Sequence, residues 1–348
     1  MAKPHLLKNA HAEYRAMSAS SPALAARPSS RSALIVACLA ATWLIWGSTY
    51  LAIKWALVSL PPFFQMGTRF LAAAAVLGAF AAWRGARWPN KVQWVSAWVL
   101  GALMIGGGYG ATAYAELSIS SGLVVAFIAV TPALVALCQW PYGARPSMMQ
   151  VAGITLGLVG VFWLTQGHGF AASPVGLLSI MVACFTWSLG TVWALHGLPG
   201  GRKLTLAPGA AGVASQMLAG ALLLLATSWA VGERPTLPPD ARALASWVYL
   251  VVAGTLIGFC AYMVLLQVAS ATVASSYTFV NPIIGLMLGV WLGDEAVSQG
   301  EWLAAGIVSV GVVLLLWPKR VWLTQIFKSL FTLIRKWRNR RNSFLLCF

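Results

Sequence analysis

The chain has 348 residues, 59% hydrophobic and 9% charged, far below the roughly 25% charged residues usual in soluble domains. Its formal net charge of +16 comes from 23 Lys and Arg against 7 Asp and Glu, but the basic residues gather at the ends and between apolar stretches, a membrane-loop distribution that argues against a nucleic-acid partner. Cysteines and histidines are scattered, and no H-E-x-x-H, Walker A or G-x-S-x-G occurs, so no metal, cofactor, ATP-driven step or enzymatic hydrolysis is expected.

Residues 1–32 are polar and carry Lys3, Lys8, Arg15, Arg27 and Arg31. They read as an uncleaved cytoplasmic leader, because the apolar run that follows is too long for a signal-peptide core. Crossing a hydrocarbon layer of roughly 30 Å takes about 20 apolar residues. Ten stretches qualify, near 33–57, 63–83, 92–116, 120–141, 148–166, 174–198, 209–231, 246–269, 271–293 and 301–318. Turn signals such as Pro61-Pro62, Arg84-Gly85 and Pro238-Pro239 divide them. With the N-terminus inside, one side receives the leader, Arg84, Arg87, Lys91, Arg145, Arg202, Lys203 and the tail, and the other only Arg234 and Arg242. The positive-inside rule therefore places both termini in the cytoplasm. In the tail, 319–348, Trp322, Ile326, Leu330, Leu333, Ile334 and Trp337 share a helical face among basic residues, which reads as an amphipathic helix on anionic lipids. A disordered basic tail is the alternative.

The segments 33–167 and 174–318 repeat each other. Trp46 matches Trp187, Pro132 matches Pro282, and Gly160-Val161 matches Gly311-Val312, at offsets of 141, 150 and 151 residues. Five spans per half is an odd number, so the second copy enters the membrane from the opposite face. The expected fold is all-α and integral to the membrane: ten transmembrane helices as two inverted five-helix repeats. Pro132 and Pro282 fall near mid-span, where each removes an amide donor and frees a carbonyl. Paired breaks point to a cavity at the repeat interface, with packing kinks as the alternative.

The first span reads WLIWGSTYLAIKWAL and is followed by LPPFFQMGTRFLAAAAVL and AELSISSGLVVAFIAVTPALVAL; the second half offers CFTWSLGTV, ATVASSYTFVNPIIGLMLGVWLGDE and EWLAAGIVSVGVVLLL. From about Ala33 to Pro318 the chain resembles the EamA-domain branch of the drug/metabolite transporter superfamily. The resemblance implies a secondary transporter that exports amino acids, other metabolites or amphipathic drugs from a bacterial inner membrane by alternating access. A non-transporting sensor or scaffold, and an importer of the same solutes, are the rival readings. The spans that the resemblance assigns to the central cavity carry Trp46, Ser48, Thr49, Tyr109, Tyr114, Trp187, Tyr262, Tyr277 and Asn281. Aromatic faces there would suit amphipathic or cationic substrates.

Lys54, Arg69 and Glu116 are ionisable residues within spans, costly to bury and therefore functional candidates. Arg69 lies in GTRF, where a structural or gating pairing is expected, and Lys54 could snorkel to the outer interface. Glu116 could couple transport to protons, pair with Lys54 or Arg69 as a gate, or sit exposed at a helix end. Asp294-Glu295 reads as a solvated turn or a charge at the N-terminus of the tenth span. Trp83, Trp88, Trp94, Trp229 and Trp317 suit an interfacial belt. The G-x-x-x-G steps at Gly153-Gly157 and Gly285-Gly289-Gly293 suit packing within a monomer, with a homodimer seam as the alternative.

Overall fold

The computed structural model describes residues 28–143, 147–165, 173–269, 271–274 and 277–316. The leader, the amphipathic tail and Trp317 lie outside the described residues. The chain divides into two compact units, Met1–Ala37 and Cys38–Phe348, and the cavity belongs to the second.

All regular structure among the described residues is helical. The first half contains α1 (Pro28–Ala56), α2 (Pro62–Trp83), α3 (Lys91–Leu100), α4 (Ala111–Ala115), α5 (Ser121–Ile128), α6 (Thr131–Cys138) and α7 (Met148–Thr165). The second contains α8 (Pro174–His196), α9 (Ala210–Ala230), α10 (Ala241–Tyr249), α11 (Cys260–Val268), α12 (Ala271–Ala274), α13 (Tyr277–Gly293) and α14 (Gln299–Leu316). Among the described residues, seven helical segments are long and apolar enough to cross a membrane: Ser32–Ala56, Pro62–Trp83, Lys91–Ala115, Ser121–Tyr142, Pro174–His196, Ala210–Ala230 and Ala241–Val268. Met148–Gly160 and Val280–Gly293 are shorter apolar helices.

The ends of these helices follow from local chemistry. Proline opens α2 and α8, where no intrahelical donor is lost. Asn90 and Gln93 form a reciprocal capping box on α3. Ser120, Ser173 and Asp240 cap α5, α8 and α10 through side-chain oxygens. Gly197, at φ 84°, ends α8 in a conformation that glycine adopts without penalty.

Between α3 and α4 lies a ten-residue π-helical stretch, Gly101–Gly110, and between α10 and α11 a second, Leu250–Phe259. Each residue of the second lies 149 positions after its counterpart in the first. Such widened turns loosen the backbone ladder and mark functional segments. In the second, the Thr255 hydroxyl donates back to the Leu250 carbonyl at 3.0 Å.

Helices of the two halves interlock. α2 packs chiefly on α9, α5 on α13, α7 on α14, and α8 on the first π stretch. Gly311 lets α14 approach α7 so closely that a Cβ there would come within 2.6 Å of the Gly157 amide nitrogen. Of the glycines singled out in sequence, Gly293 faces Leu51 and Gly285 faces Val125. Outside this packing the surface is apolar, with Leu44, Phe162, Leu178 and Val182 all exposed. Trp83 and Trp229, near helix ends, are 77% and 86% exposed, as belt residues at a headgroup layer would be.

Candidate functional site

Two regions collect polar side chains inside this apolar frame: a central aromatic cavity and one end of the helix bundle. α1 contributes Trp46, Thr49, Tyr50 and Ile53 to the cavity, a run at helical spacing that places all four on one face. Gly108, Tyr109 and Thr112 come from the π stretch and α4, Ala183, Cys184 and Trp187 from α8. Ile128, Thr131 and Tyr277 complete the lining. These residues surround about 50 Å³ of space open to a water-sized sphere, room for a few waters in the state seen here.

The rings pack on one another edge-on or tilted. Trp46 lies 4.9 Å from Tyr277, 5.2 Å from Tyr262 and 5.9 Å from Trp187 between ring centroids. Tyr109 lies 5.5 Å from Trp187. The Trp46 indole nitrogen donates to the Gly254 carbonyl at 3.1 Å, which ties α1 to the second π stretch. The Thr191 and Tyr262 hydroxyls share a bond of 3.3 Å. Asn281 sits behind the rings; with its amide oriented by its surroundings, its nitrogen donates to the carbonyls of Trp43 at 3.0 Å and Tyr277 at 3.1 Å.

Of the residues singled out in sequence, Trp46, Thr49, Tyr109, Trp187 and Tyr277 therefore line the cavity, and Tyr262 and Asn281 buttress it. Ser48 points elsewhere and bonds the Tyr249 hydroxyl at 2.6 Å. Tyr114 stacks on Phe63 at 5.6 Å and lines a separate, shallower groove with Leu178 and Leu223. Pro132 opens α6 after a break at Ala129-Val130, which brings its neighbour Thr131 to the cavity. Pro282 stands inside α13. Sequence reasoning misses Tyr50, Ile53, Thr112 and Cys184. A signal for them exists, since each lies three, four or seven positions from a candidate on its own helix.

At one end of the bundle the ionisable residues Lys54, Arg69 and Glu116 differ in how they are held. The Lys54 ammonium donates to the Glu116 carbonyl at 2.5 Å and the Ile119 carbonyl at 3.4 Å, so it turns inward and caps the end of α4. Glu116 is fully buried, which removes the exposed-helix-end reading. Neither of its carboxylate oxygens has a hydrogen-bond partner among the described residues, although Lys54, Glu295 and Arg69 lie within electrostatic reach. Arg69 is also fully buried; its Nε donates to the Thr255 hydroxyl at 2.5 Å.

Two carboxylates at the same end hold more than their place in the sequence suggests. Glu295 accepts from the Ser121 amide at 2.7 Å, the Ser121 hydroxyl at 2.6 Å and the Gly122 amide at 2.9 Å. It is thus no solvated turn but a clamp from the second half onto the N-terminus of α5. Asp294, at φ 52°, makes the turn that aims it. Glu233 does the same to α2, accepting from the amides of Phe63 at 3.0 Å and Phe64 at 2.7 Å. At the opposite end the Tyr142 hydroxyl donates to the Gly197 carbonyl at 2.6 Å, and Tyr142 stacks on His196 at 5.1 Å.

Comparison with known proteins places this arrangement. The sequence profile of the EamA-like transporter family matches twice, over residues 31–166 and 174–317. The chain is 33% identical over 277 residues to the uncharacterized inner membrane transporter YedA of Escherichia coli, covering 79% of this chain and 88% of that one. It is 27% identical to the uncharacterized transporter YvbV of Bacillus subtilis, covering 75% and 83%. It is also 24% identical to the chloroplastic WAT1-related protein At3g02690 of Arabidopsis thaliana, covering 81% and 69%. A crystal structure with 21% identity shares the fold at a TM-score of 0.59 over 82% of this chain and 96% of that one. With its apolar helices, this makes the chain a multi-pass inner-membrane transporter, and it belongs to the EamA-like transporter family.

Proposed function

We propose that the protein is a secondary transporter that exports small organic molecules across the plasma membrane, with the aromatic cavity alternately exposed to each face. The observation that carries this reading is the cavity itself, lined by α1 and α4 of the first half and by α8 and α13 of the second. A site between two halves opens to either side when they rock.

The architecture under this reading is ten helices in two inverted repeats, 33–167 and 174–318, between a leader (1–32) and a tail (319–348). The seven clear spans, the two shorter apolar helices and α14 supply the ten. Supporting the duplication are the twofold profile match, the two π stretches at matched positions and the pairing of α2 with α9, α5 with α13 and α7 with α14. Both termini are cytoplasmic in this scheme. The Glu233 and Glu295 clamps then close the outer face, and the Tyr142–His196 stack closes the inner one. The chain works as a monomer, and its tail rests on anionic lipid. Glu116 is the candidate for proton coupling, being a carboxyl buried without a hydrogen-bond partner among the described residues.

Uptake of labelled amino acids and aromatic metabolites into inside-out vesicles, with and without an imposed pH gradient, tests the reading. Solute should accumulate in vesicles containing the protein and not in those containing a Trp46→Ala, Trp187→Ala variant. An absence of movement for any solute would favour a sensor, and accumulation only in right-side-out vesicles would make the protein an importer.

A further inference from the structure

The charge behind the cavity wall bears on what the cavity takes. No charged side chain lines the cavity among the described residues, but a guanidinium stands immediately behind the lining. Arg69 lies over two rings, its guanidinium carbon 5.2 Å from the centroids of both Phe70 and Tyr109. Tyr109 is a lining residue whose ring is also packed on Trp187. Arg69 meets a second lining residue at Gly254, where a Cβ would come within 2.8 Å of its Nη2 and 3.0 Å of the Thr49 methyl. Gly254 in turn accepts from Trp46 through its carbonyl. The cation is therefore one side chain deep behind Thr49, Tyr109 and Trp46.

That cation is not neutralised by a bonded anion among the described residues. An arginine in a protein keeps its charge, and burying it without an anion is costly. Its acceptors are a hydroxyl, Thr255, and a thioether, Met66, neither of which carries charge. Its Nη2 has no hydrogen-bond partner among the described residues. Glu116 is within electrostatic reach, yet both its oxygens lack a bonded donor, so the two do not form a hydrogen-bonded ion pair.

We propose that the cavity takes an amphipathic organic anion, a flat aromatic or aliphatic body with one carboxylate. Once the cavity opens, the apolar body would lie against Trp46, Trp187 and Tyr277, and the carboxylate would turn toward the Thr49–Tyr109 wall and the field of Arg69. A low-dielectric wall weakens an electrostatic interaction far less than water does, so the guanidinium discriminates charge without touching the ligand. Cation–π attraction from the rings would invite an organic cation, but the same guanidinium opposes it. The inference rests on the transporter reading and deepens it.

The test uses three probes of one shape, 3-phenylpropanoate, 3-phenylpropanamide and 3-phenylpropylamine, against the full-length protein. Binding is read by thermal stabilisation in detergent and transport by counterflow in proteoliposomes. The carboxylate should bind at least tenfold more tightly than the amide, and the amine more weakly than either. Arg69→Met should bring carboxylate and amide to near parity while leaving amide binding in place, and Arg69→Lys should keep the preference. If Arg69→Met does not fold, Thr49→Val serves in its place and should reduce the carboxylate's advantage severalfold. Equal or tighter binding of the amine overturns the proposal, as does a carboxylate preference untouched by Arg69→Met, or no binding of any probe. Counterflow of amide or amine alone sinks the anion and leaves the transporter standing. Carboxylate binding in the stated order with no counterflow sinks the transporter and leaves the anion site.

Discussion

Replacing Glu295 by Gln should loosen one face of the transporter by an amount that can be worked out. The carboxylate receives three hydrogen bonds from α5, and bonds to a charged acceptor contribute about 1.5–3 kcal/mol each. Gln keeps one acceptor oxygen but presents an NH₂ group where the other oxygen received a donor, and it forfeits the attraction of an anion for a helix N-terminus. The net loss is about 2–4 kcal/mol. If the two halves rock as proposed, the elements the clamp joins part when that face opens, so the clamp exists only while the face is closed. The closed-to-open equilibrium then shifts by about 30- to 900-fold, at 1.36 kcal/mol per factor of ten. Cys184 is a ready reporter, since it lines the cavity and is 2% exposed. In a chain keeping Cys184 and lacking Cys38, Cys138, Cys260 and Cys347, an impermeant maleimide applied to the Glu295 face should label Glu295→Gln much faster than its parent. Equal labelling rates from that face, with melting temperature lowered all the same, would refute the reasoning, because the clamp would then hold the fold and not the gate.

Glu233→Gln should act in the same direction and more weakly, since Glu233 accepts two bonds; the same Cys184 assay ranks the two. Gly311→Ala places a methyl within 2.6 Å of the Gly157 amide nitrogen and should cost about 1–3 kcal/mol by overpacking, read as lost thermal stability in detergent. Asp294→Gly should leave stability unchanged or slightly raised, because a left-handed residue gains from losing its Cβ, whereas Asp294→Val should lower it by about 1–2 kcal/mol. Glu116→Gln removes the titratable group but keeps its size. If the carboxyl carries the coupling proton, vesicle flux in the variant should lose its dependence on an imposed pH gradient, while binding in detergent persists; gradient-driven flux equal to the parent's rules Glu116 out as the coupling site.

What can be read from the sequence divides along physical lines. Apolar length depends on composition alone, so the spans are legible as strings; their starts are legible where a proline or a capping side chain marks them, as at Pro62 and Pro174. Trp46 and Trp187 stand out because large aromatics at matched positions are conspicuous. Cys184 and Thr112 do not, since a small residue becomes a wall only by what stands beside it. The π stretches have no clear signature: GALMIGGGYG shows its glycines, but LVVAGTLIGF reads as ordinary span. Arg69 reads in sequence as one half of a pair because a buried charge ordinarily has a partner, and hydrogen-bond geometry is needed to find it without a bonded anion.

Acidic residues are confined to one face. Every Asp and Glu outside the leader, namely Glu116, Glu233, Asp240, Asp294, Glu295 and Glu301, falls in a connection or at a helix end on a single side of the expected topology. Four of them clamp or cap helix N-termini there: Glu295 on α5, Glu233 on α2, Asp240 on α10 and Glu301, through a capping box with Ser298, on α14. The connections on the other side, 84–90, 143–147 and 197–209, contain no acid at all. The proposed inverted repeat would make the two faces alike in backbone, yet one end is held by charged clamps and the other by a tyrosine, a histidine and a glutamine. Charge-assisted bonds are stronger than neutral ones, so the face with the acids should be the harder to open. Under the proposed topology, with both termini inside, such a transporter would rest closed on the outer side and open first to the cytoplasm, where an exporter must load.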